Sequence, residues 1–328
     1  MFSEKDMPQS EELLIPEFSA VLAARDRIAP YIHRTPVLTS SYLNQLTGAE
    51  LFFKCENFQK AGVFKARGAS NAVFGLSEDQ ARFGVATHSS GNHALSLSYA
   101  ASRRGIKASV VMPHTAPEAK KAAVREYGGE VFECEPSTTA REAMLNALVE
   151  RTGADFVHPY NDPRVIAGQA TCSLELQETV GDLDAIVTPI GGGGMISGTC
   201  LSMINVSPNT KIYAAEPTNA DDAYRSFKAG HIIEDDSPQT IADGLKVSLR
   251  PLTWHFVSNY VSGVLLADEQ EIIDAMYLTW QRMKIVIEPS SSVPLAAILR
   301  NKALFAGKRV GVIITGGNVD LRKLPWNN

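Results

Sequence analysis

The chain has 328 residues, 45% hydrophobic and 20% charged, the balance of a soluble globular protein with room for two domains or one large α/β body. A net charge of −5, with no stripe of clustered lysine and arginine, argues against nucleic acid as a partner. No apolar run reaches the roughly 18 residues of a membrane span, and Met1 to Pro16 is polar and acidic, without the basic, apolar and small-residue order of a signal peptide.

Helical periodicity opens the chain over Pro16 to Tyr31 (Phe18, Val21, Leu22, Ile28), and Ser40-Ser41 reads as the cap of a short helix to Leu46. A strand over Leu51 to Cys55 leads into Asn57 to Gly68, where Ala61-Gly62 breaks the chain before a helix over Lys65 to Phe74. Strands and helices then alternate. Strands are expected at Gly84–Thr87, Ala108–Met112 and Val131–Cys134, with helices at Ala94–Arg103, Pro117–Tyr127 and Thr139–Arg151. A long helix over Pro163–Val180 precedes strand Ala185–Pro189, helix Met195–Ile204 and strand Lys211–Ala215. Asp221 to Tyr260 is less regular. Strand Val264–Leu266, helices Glu269–Lys284 and Pro294–Arg300, and strand Arg309–Ile314 complete the pattern. Such alternation predicts an α/β fold of parallel sheets with helices on both faces. The compact block near Gly84 to Arg151 reads as a small lobe inserted in a larger one, with a cleft between them. The expected division is 1–75 with 156–328 for the large domain and 76–155 for the small one.

Five stretches are candidates for chemistry. Lys65 stands at the mouth of a helix, where positive charge is disfavoured. Either it points outward as a surface lysine or its amine is tied up, as in a Schiff base. Ile186 to Met195 reads as apolar strand, the four glycines Gly191, Gly192, Gly193 and Gly194, then helix, an anion cradle suited to a phosphate. Its spacing fits neither G-x-G-x-x-G nor a P-loop. His88-Ser89-Ser90-Gly91-Asn92-His93 lies between a strand and a helix, where it could grip a carboxylate or merely cap the helix. Thr315, before Gly316-Gly317-Asn318, puts a hydroxyl at the carboxyl end of the last strand, a usual ligand position or an ordinary turn. A fifth stretch, Glu216 to Asp222, could offer oxygen ligands to a hard cation, or be a solvated acidic loop. Cys55, Cys134, Cys172 and Cys200 show no metal or CxxC spacing and read as free thiols of a cytoplasmic enzyme, in which the sequon at Asn205 has no consequence.

In this order, from about Pro36 to Asp320, these parts resemble the serine/threonine dehydratase and serine racemase family of fold-type II pyridoxal-phosphate enzymes, close to its serine racemase and 3-hydroxyaspartate dehydratase branch. The resemblance implies a tryptophan synthase β-like fold, with two open parallel-sheet domains and pyridoxal 5′-phosphate in the cleft. It implies that Lys65 carries the cofactor, Phe64 packs beside it, Asn92 bonds its 3′ oxygen, Gly191 to Gly194 hold its phosphate, and Thr315 replaces the usual serine at the pyridine nitrogen. A hydroxyl there makes the ring a weaker electron sink than a carboxylate would, which suits β-elimination better than transamination.

The same resemblance puts Ser90 on the opposite face of Cα, as in the racemases, and the substrate carboxylate on Ser89, Asn92 and His93. Glu216, the Ala220 carbonyl and Asp222 match the family's site for Mg²⁺ or Ca²⁺. Ser40, Ser41, Lys60 and Asn318 are compatible with the nucleotide site of animal serine racemases, but Ala61 and Leu95 replace polar positions of that pattern. Arg141 matches an arginine at the far end of the site and would favour a β-substituent bearing a carboxylate. The expected activity is therefore an ammonia-lyase converting 3-hydroxyaspartate through iminosuccinate to oxaloacetate and ammonia, in a cytoplasmic homodimer. The alternatives are L-serine/L-threonine dehydration, serine racemisation, or a non-catalytic regulator that binds the cofactor.

Overall fold

In chain order the strands are β1 (Val37–Leu38), β2 (Glu50–Cys55), β3 (Val85–His88), β4 (Ala108–Pro113), β5 (Gly129–Cys134), β6 (Asp155–Phe156), β7 (Ala185–Pro189), β8 (Lys211–Pro217), β9 (Gly263–Ala267) and β10 (Arg309–Ile314). They come from a computed structural model that describes residues 13–326 apart from Ser90. A six-stranded sheet has the order β1-β2-β10-β7-β8-β9 and a four-stranded sheet the order β5-β4-β3-β6. Every pairing is parallel except β1 with β2. The smaller sheet is inserted between β2 and β7 of the larger, and the expected α/β architecture of two parallel sheets is what the chain forms.

Both faces of the larger sheet are covered, so its strands are apolar throughout rather than alternating. Side chains still alternate in direction along each strand. In β7, Ile186 faces the helices Pro163–Val180 and Gly194–Val206, while Ala185 and Val187 face Glu269–Met283 and Pro289–Arg300. Ile313 of β10 joins the first layer and Val310, Val312 and Ile314 the second. Each fully buried Ile or Leu there contributes on the order of 2 kcal/mol. Helix Lys65–Phe74 crosses Pro163–Val180 at two glycines: a Cβ on Gly168 would lie 2.6 Å from the Cα of Gly68. That close crossing sets the depth at which Lys65 enters the molecule.

Several elements differ from expectation. The irregular stretch contains helices Asp222–Ala229 and Pro251–Tyr260. The helix expected from Pro294 begins at Pro289, and Pro294 lies inside it. Two prolines compete there as first-turn residues, and the earlier one is used. The two-residue strands β1 and β6 are too short to leave a periodic signal. All four cysteines are free and buried, and burial raises the Cys172 and Cys200 thiols, which keeps them protonated. Among the described residues, no helix is long and apolar enough to cross a membrane.

Candidate active site

Lys65 is delivered by a strained approach. Ala61 (φ 56°) and Gly62 (φ 69°) both adopt left-handed backbone, and Phe64 N–H then donates to Thr315 O at 2.9 Å. That bond ties the start of the helix to the end of β10. Lys65 Nζ donates to Pro159 O at 2.7 Å and stands 5.0 Å from the Phe64 ring centroid. Burial lowers its pKa to about 8. The amine does not point outward to solvent. It meets a carbonyl rather than an anion, so its proton is unusually easy to remove.

The glycine cradle follows β7 and leads into helix Gly194–Val206. No side chain fits there. A Cβ on Gly192 would lie 2.6 Å from the Tyr160 ring, one on Gly191 2.8 Å from Leu245 Cα, and one on Gly193 2.7 Å from Leu249. Gly193 also has φ 87°. The N–H groups of Gly191, Gly192 and Gly193 donate to no described residue. Unpaired N–H groups at a helix N-terminus are what a phosphate monoester requires.

At the end of β3, Gly91 N–H donates to Ser89 Oγ (3.3 Å), and helix Asn92–Arg104 starts without a side-chain cap. The Asn92 amide is used elsewhere. Its Nδ2 donates to both carboxylate oxygens of Glu288 (3.0 and 3.1 Å), and its Oδ1 accepts from Asn318 Nδ2 (2.8 Å). Burial raises Glu288 to about 7. His93 pairs through Nε2 with Val157 O (3.1 Å), while its Nδ1 is buried without a partner among the described residues. Burial first, then nearby Lys65, holds His93 well below its usual pKa. Ser90 lies outside the described residues.

Thr315 is buried, and its hydroxyl is 3.0 Å from Ser291 Oγ. Arg141 lies in the first turn of helix Thr138–Thr152. After burial, its charge is the next cause holding His88 below the ordinary histidine value. Shared neighbours thus link these residues: Lys65 and His93 through the segment Val157 to Pro159, Lys65 and Thr315 through Phe64, and Asn92 and Thr315 through Glu288 and Gly316, with Arg141 within electrostatic reach of His88.

The acidic loop is a separate place. Glu216, next to last in β8, accepts N–H bonds from Ala223 (2.9 Å) and Tyr224 (2.8 Å). Asp222 Oδ2 is buried without a partner among the described residues. Burial raises both carboxyls, Asp222 to about 6. Among the described residues, no group of three or more His, Cys, Asp or Glu could hold a metal ion. The two acids and the Ala220 carbonyl are compatible with one hard cation, whose charge would satisfy the orphaned oxygen.

Three residues near the site escaped the sequence reading: Glu288, His158 and Tyr160. The segment Val157 to Tyr160 touches His93, Lys65 and the cradle in turn. Its only signal was a histidine and a proline following a two-residue strand.

Comparison with known proteins agrees with this geometry. The profile of the family described as "Pyridoxal-phosphate dependent enzyme" matches residues 28–316. The chain is 65% identical over 315 residues to the beta-hydroxyaspartate dehydratase of Paracoccus denitrificans, covering 96% of this chain and 100% of that protein. The crystal structure of serine racemase from Dictyostelium discoideum superposes with a TM-score of 0.90 at 50% identity, covering 93% of this chain and 99% of that one. The structure of maize serine racemase follows with a TM-score of 0.92 at 45% identity, covering 94% and 95%. The chain therefore belongs to the family of pyridoxal-phosphate dependent enzymes.

Proposed function

We propose that the protein is an ammonia-lyase that dehydrates a small β-hydroxy amino acid, with 3-hydroxyaspartate as substrate and oxaloacetate and ammonia as final products. The observation that carries this reading is the near full-length 65% identity to a protein named for that activity, in a chain that keeps Lys65 and the glycine cradle. Lys65, Phe64, Asn92, Gly191 to Gly194 and Thr315 would hold pyridoxal phosphate. Bound there, the cofactor supplies an electron sink for the substrate's α-carbon. The unpaired N–H groups of Gly191 to Gly193 support the phosphate assignment.

Lys65 Nζ takes the proton from Cα. Its lowered pKa, caused by burial, suits a general base near neutral pH. Asn92 is held by Glu288 and Asn318, which fix the plane of its amide. Ser89 and the helix-start N–H groups of Asn92 and His93 hold the α-carboxylate, and Arg141 receives the distal carboxylate through a charge-assisted contact. The β-hydroxyl takes up a proton and leaves as water, and the resulting enamine tautomerises to iminosuccinate, which water hydrolyses to oxaloacetate and ammonia. Ser90 would serve the opposite face of Cα, a role that rests on the resemblance alone. Racemisation is the second reading, favoured by the 50% identity to a serine racemase.

In the same proposal the large domain comprises 1–75 with 156–328 and the small domain 76–155. Glu216, Ala220 and Asp222 bind Mg²⁺ or Ca²⁺, and the enzyme works as a cytoplasmic homodimer. The test is a panel of the four 3-hydroxyaspartate isomers with L-serine, D-serine and L-threonine, assayed for ammonia and for inversion. At least one 3-hydroxyaspartate isomer is expected to release ammonia faster than serine does. Release from serine alone would move the assignment to serine dehydration. Borohydride reduction should leave a pyridoxyl mass on the Lys65 peptide, and a tag elsewhere would unseat that lysine.

A further inference from the structure

His158 belongs to no role assigned above, yet its ring is held in one state. Its Nδ1 accepts two backbone N–H groups, from Tyr160 at 3.2 Å and Asn161 at 2.9 Å. A backbone amide can only donate, so Nδ1 carries no proton and the neutral ring must carry its hydrogen on Nε2. Burial and the neighbouring positive groups hold the ring pKa at about 3, so it stays neutral at any working pH. Rotation is blocked as well. Tyr160 packs edge-on at 4.7 Å, His88 edge-on at 5.9 Å and Phe156 at 5.8 Å between centroids. Among the described residues Nε2–H meets no acceptor.

The location decides what this donor is for. The next residue, Pro159, gives its carbonyl to Lys65 Nζ at 2.7 Å, so His158 stands within one residue of the reacting amine. On its other side is His88, whose pKa feels Arg141 and Arg250. A donor that cannot become an acceptor, next to arginine charge, is suited to an anionic oxygen. The distal carboxylate of a dicarboxylic substrate is such an oxygen.

We infer that His158 presents Nε2–H as a fixed hydrogen-bond donor to the distal carboxylate of the substrate, acting beside Arg141 to select dicarboxylic amino acids. This rests on the dicarboxylate reading of the site.

The two ring nitrogens can be tested separately. His158→Asn places Oδ1 where it can still accept the two loop N–H groups, as in an Asx turn, but has no donor in the Nε2 position. In the holoenzyme, KM for 3-hydroxyaspartate should rise about tenfold or more, the loss of one hydrogen bond to a charged group. The kcat/KM for serine should stay within about twofold. Succinate, which has both carboxylates and no amine, should bind the variant about tenfold more weakly by calorimetry. A loss of equal size on serine would mean loop damage and overturn the inference, as would unchanged succinate affinity. A second measurement needs no variant: the His158 Nε2–H resonance of the ¹⁵N-labelled wild-type holoenzyme should shift when succinate binds, and a stationary resonance overturns the assignment. If the wild type neither binds succinate nor turns over 3-hydroxyaspartate, the dicarboxylate reading itself falls and this inference with it.

Discussion

Lys65 and Arg67 sit two residues apart on one helix and have opposite surroundings. Residues i and i+2 point about 200° apart around a helix, so one faces the cleft and the other the core. Arg67 is fully buried, and all five of its N–H donors are used: by Glu56 (2.7 and 2.9 Å), Glu175 (2.8 and 2.8 Å) and Thr171 (3.0 Å). Burial alone would lower its pKa, but the two carboxylates outweigh it and the group is held well above its ordinary value. Lys54 completes the cluster, donating to Glu175 at 2.6 Å and to Thr35 O at 2.8 Å. Two positive and two negative groups cancel there. Lys65 has one carbonyl and no carboxylate, and its pKa falls. A buried cation with matched anions is structure, whereas one without them is available for chemistry.

The largest effect that separates the two regions is expected at Lys65. Lys65→Ala should cut ammonia release about 10⁴-fold while the protein keeps its unfolding midpoint. Retained turnover would remove this amine from the reaction. Arg67→Leu should do the reverse, destabilising the fold by about 3–5 kcal/mol in urea unfolding, because Glu56 and Glu175 lose their shared partner inside the protein. If the variant unfolds like the wild type, the matched cluster contributes no stability and the contrast fails.

Arg141→Ala sharpens the comparison within the site, since this charge is proposed to meet the distal carboxylate of the substrate. The kcat/KM for 3-hydroxyaspartate should fall about 100-fold and that for serine less than about threefold. Equal losses would sink the acidic-substrate reading.

Glu288 mirrors Lys65: a buried carboxyl whose side-chain partner is the Asn92 amide and not a cation. Its folded pKa of about 7 lies above the ordinary 4.5. The folded state therefore holds the extra proton between those values, and the stability it contributes is full below about pH 4.5 and lost as pH rises through 7. Glu288→Gln should match the wild-type protein near pH 5 and be more stable near pH 8, by on the order of 2 kcal/mol without cofactor. Parallel melting curves from pH 5 to 8 would count against a carboxyl titrating at this place.

Much of this site was legible because its parts are local. The cradle is one contiguous strand, loop and helix, and Lys65 announces itself by its place at a helix start. The helices Asp222–Ala229 and Pro251–Tyr260 were not legible, since acidic and Pro/Gly punctuation masked their short periodic stretches. The acidic loop shows a limit of another kind. Glu216 and Asp222 could be named from the chain, but not that Glu216 already accepts two backbone N–H groups.

By itself the sequence determined the parallel α/β alternation, the lysine, the cradle and the terminal hydroxyl. Each of these depends on neighbours within about a dozen residues, the range over which hydrophobic period and glycine pattern act. Tertiary structure alone decided which charges would be matched and which left single. Asn92 meets Glu288 across 196 residues, Arg67 meets Glu175 across 108, and Lys65 meets the carbonyl of Pro159 across 94. Those partners are set by strand order in two sheets, where β10 enters beside β2 and β3 lies next to β6. Strand order follows from packing both faces of each sheet, and no local pattern encodes it.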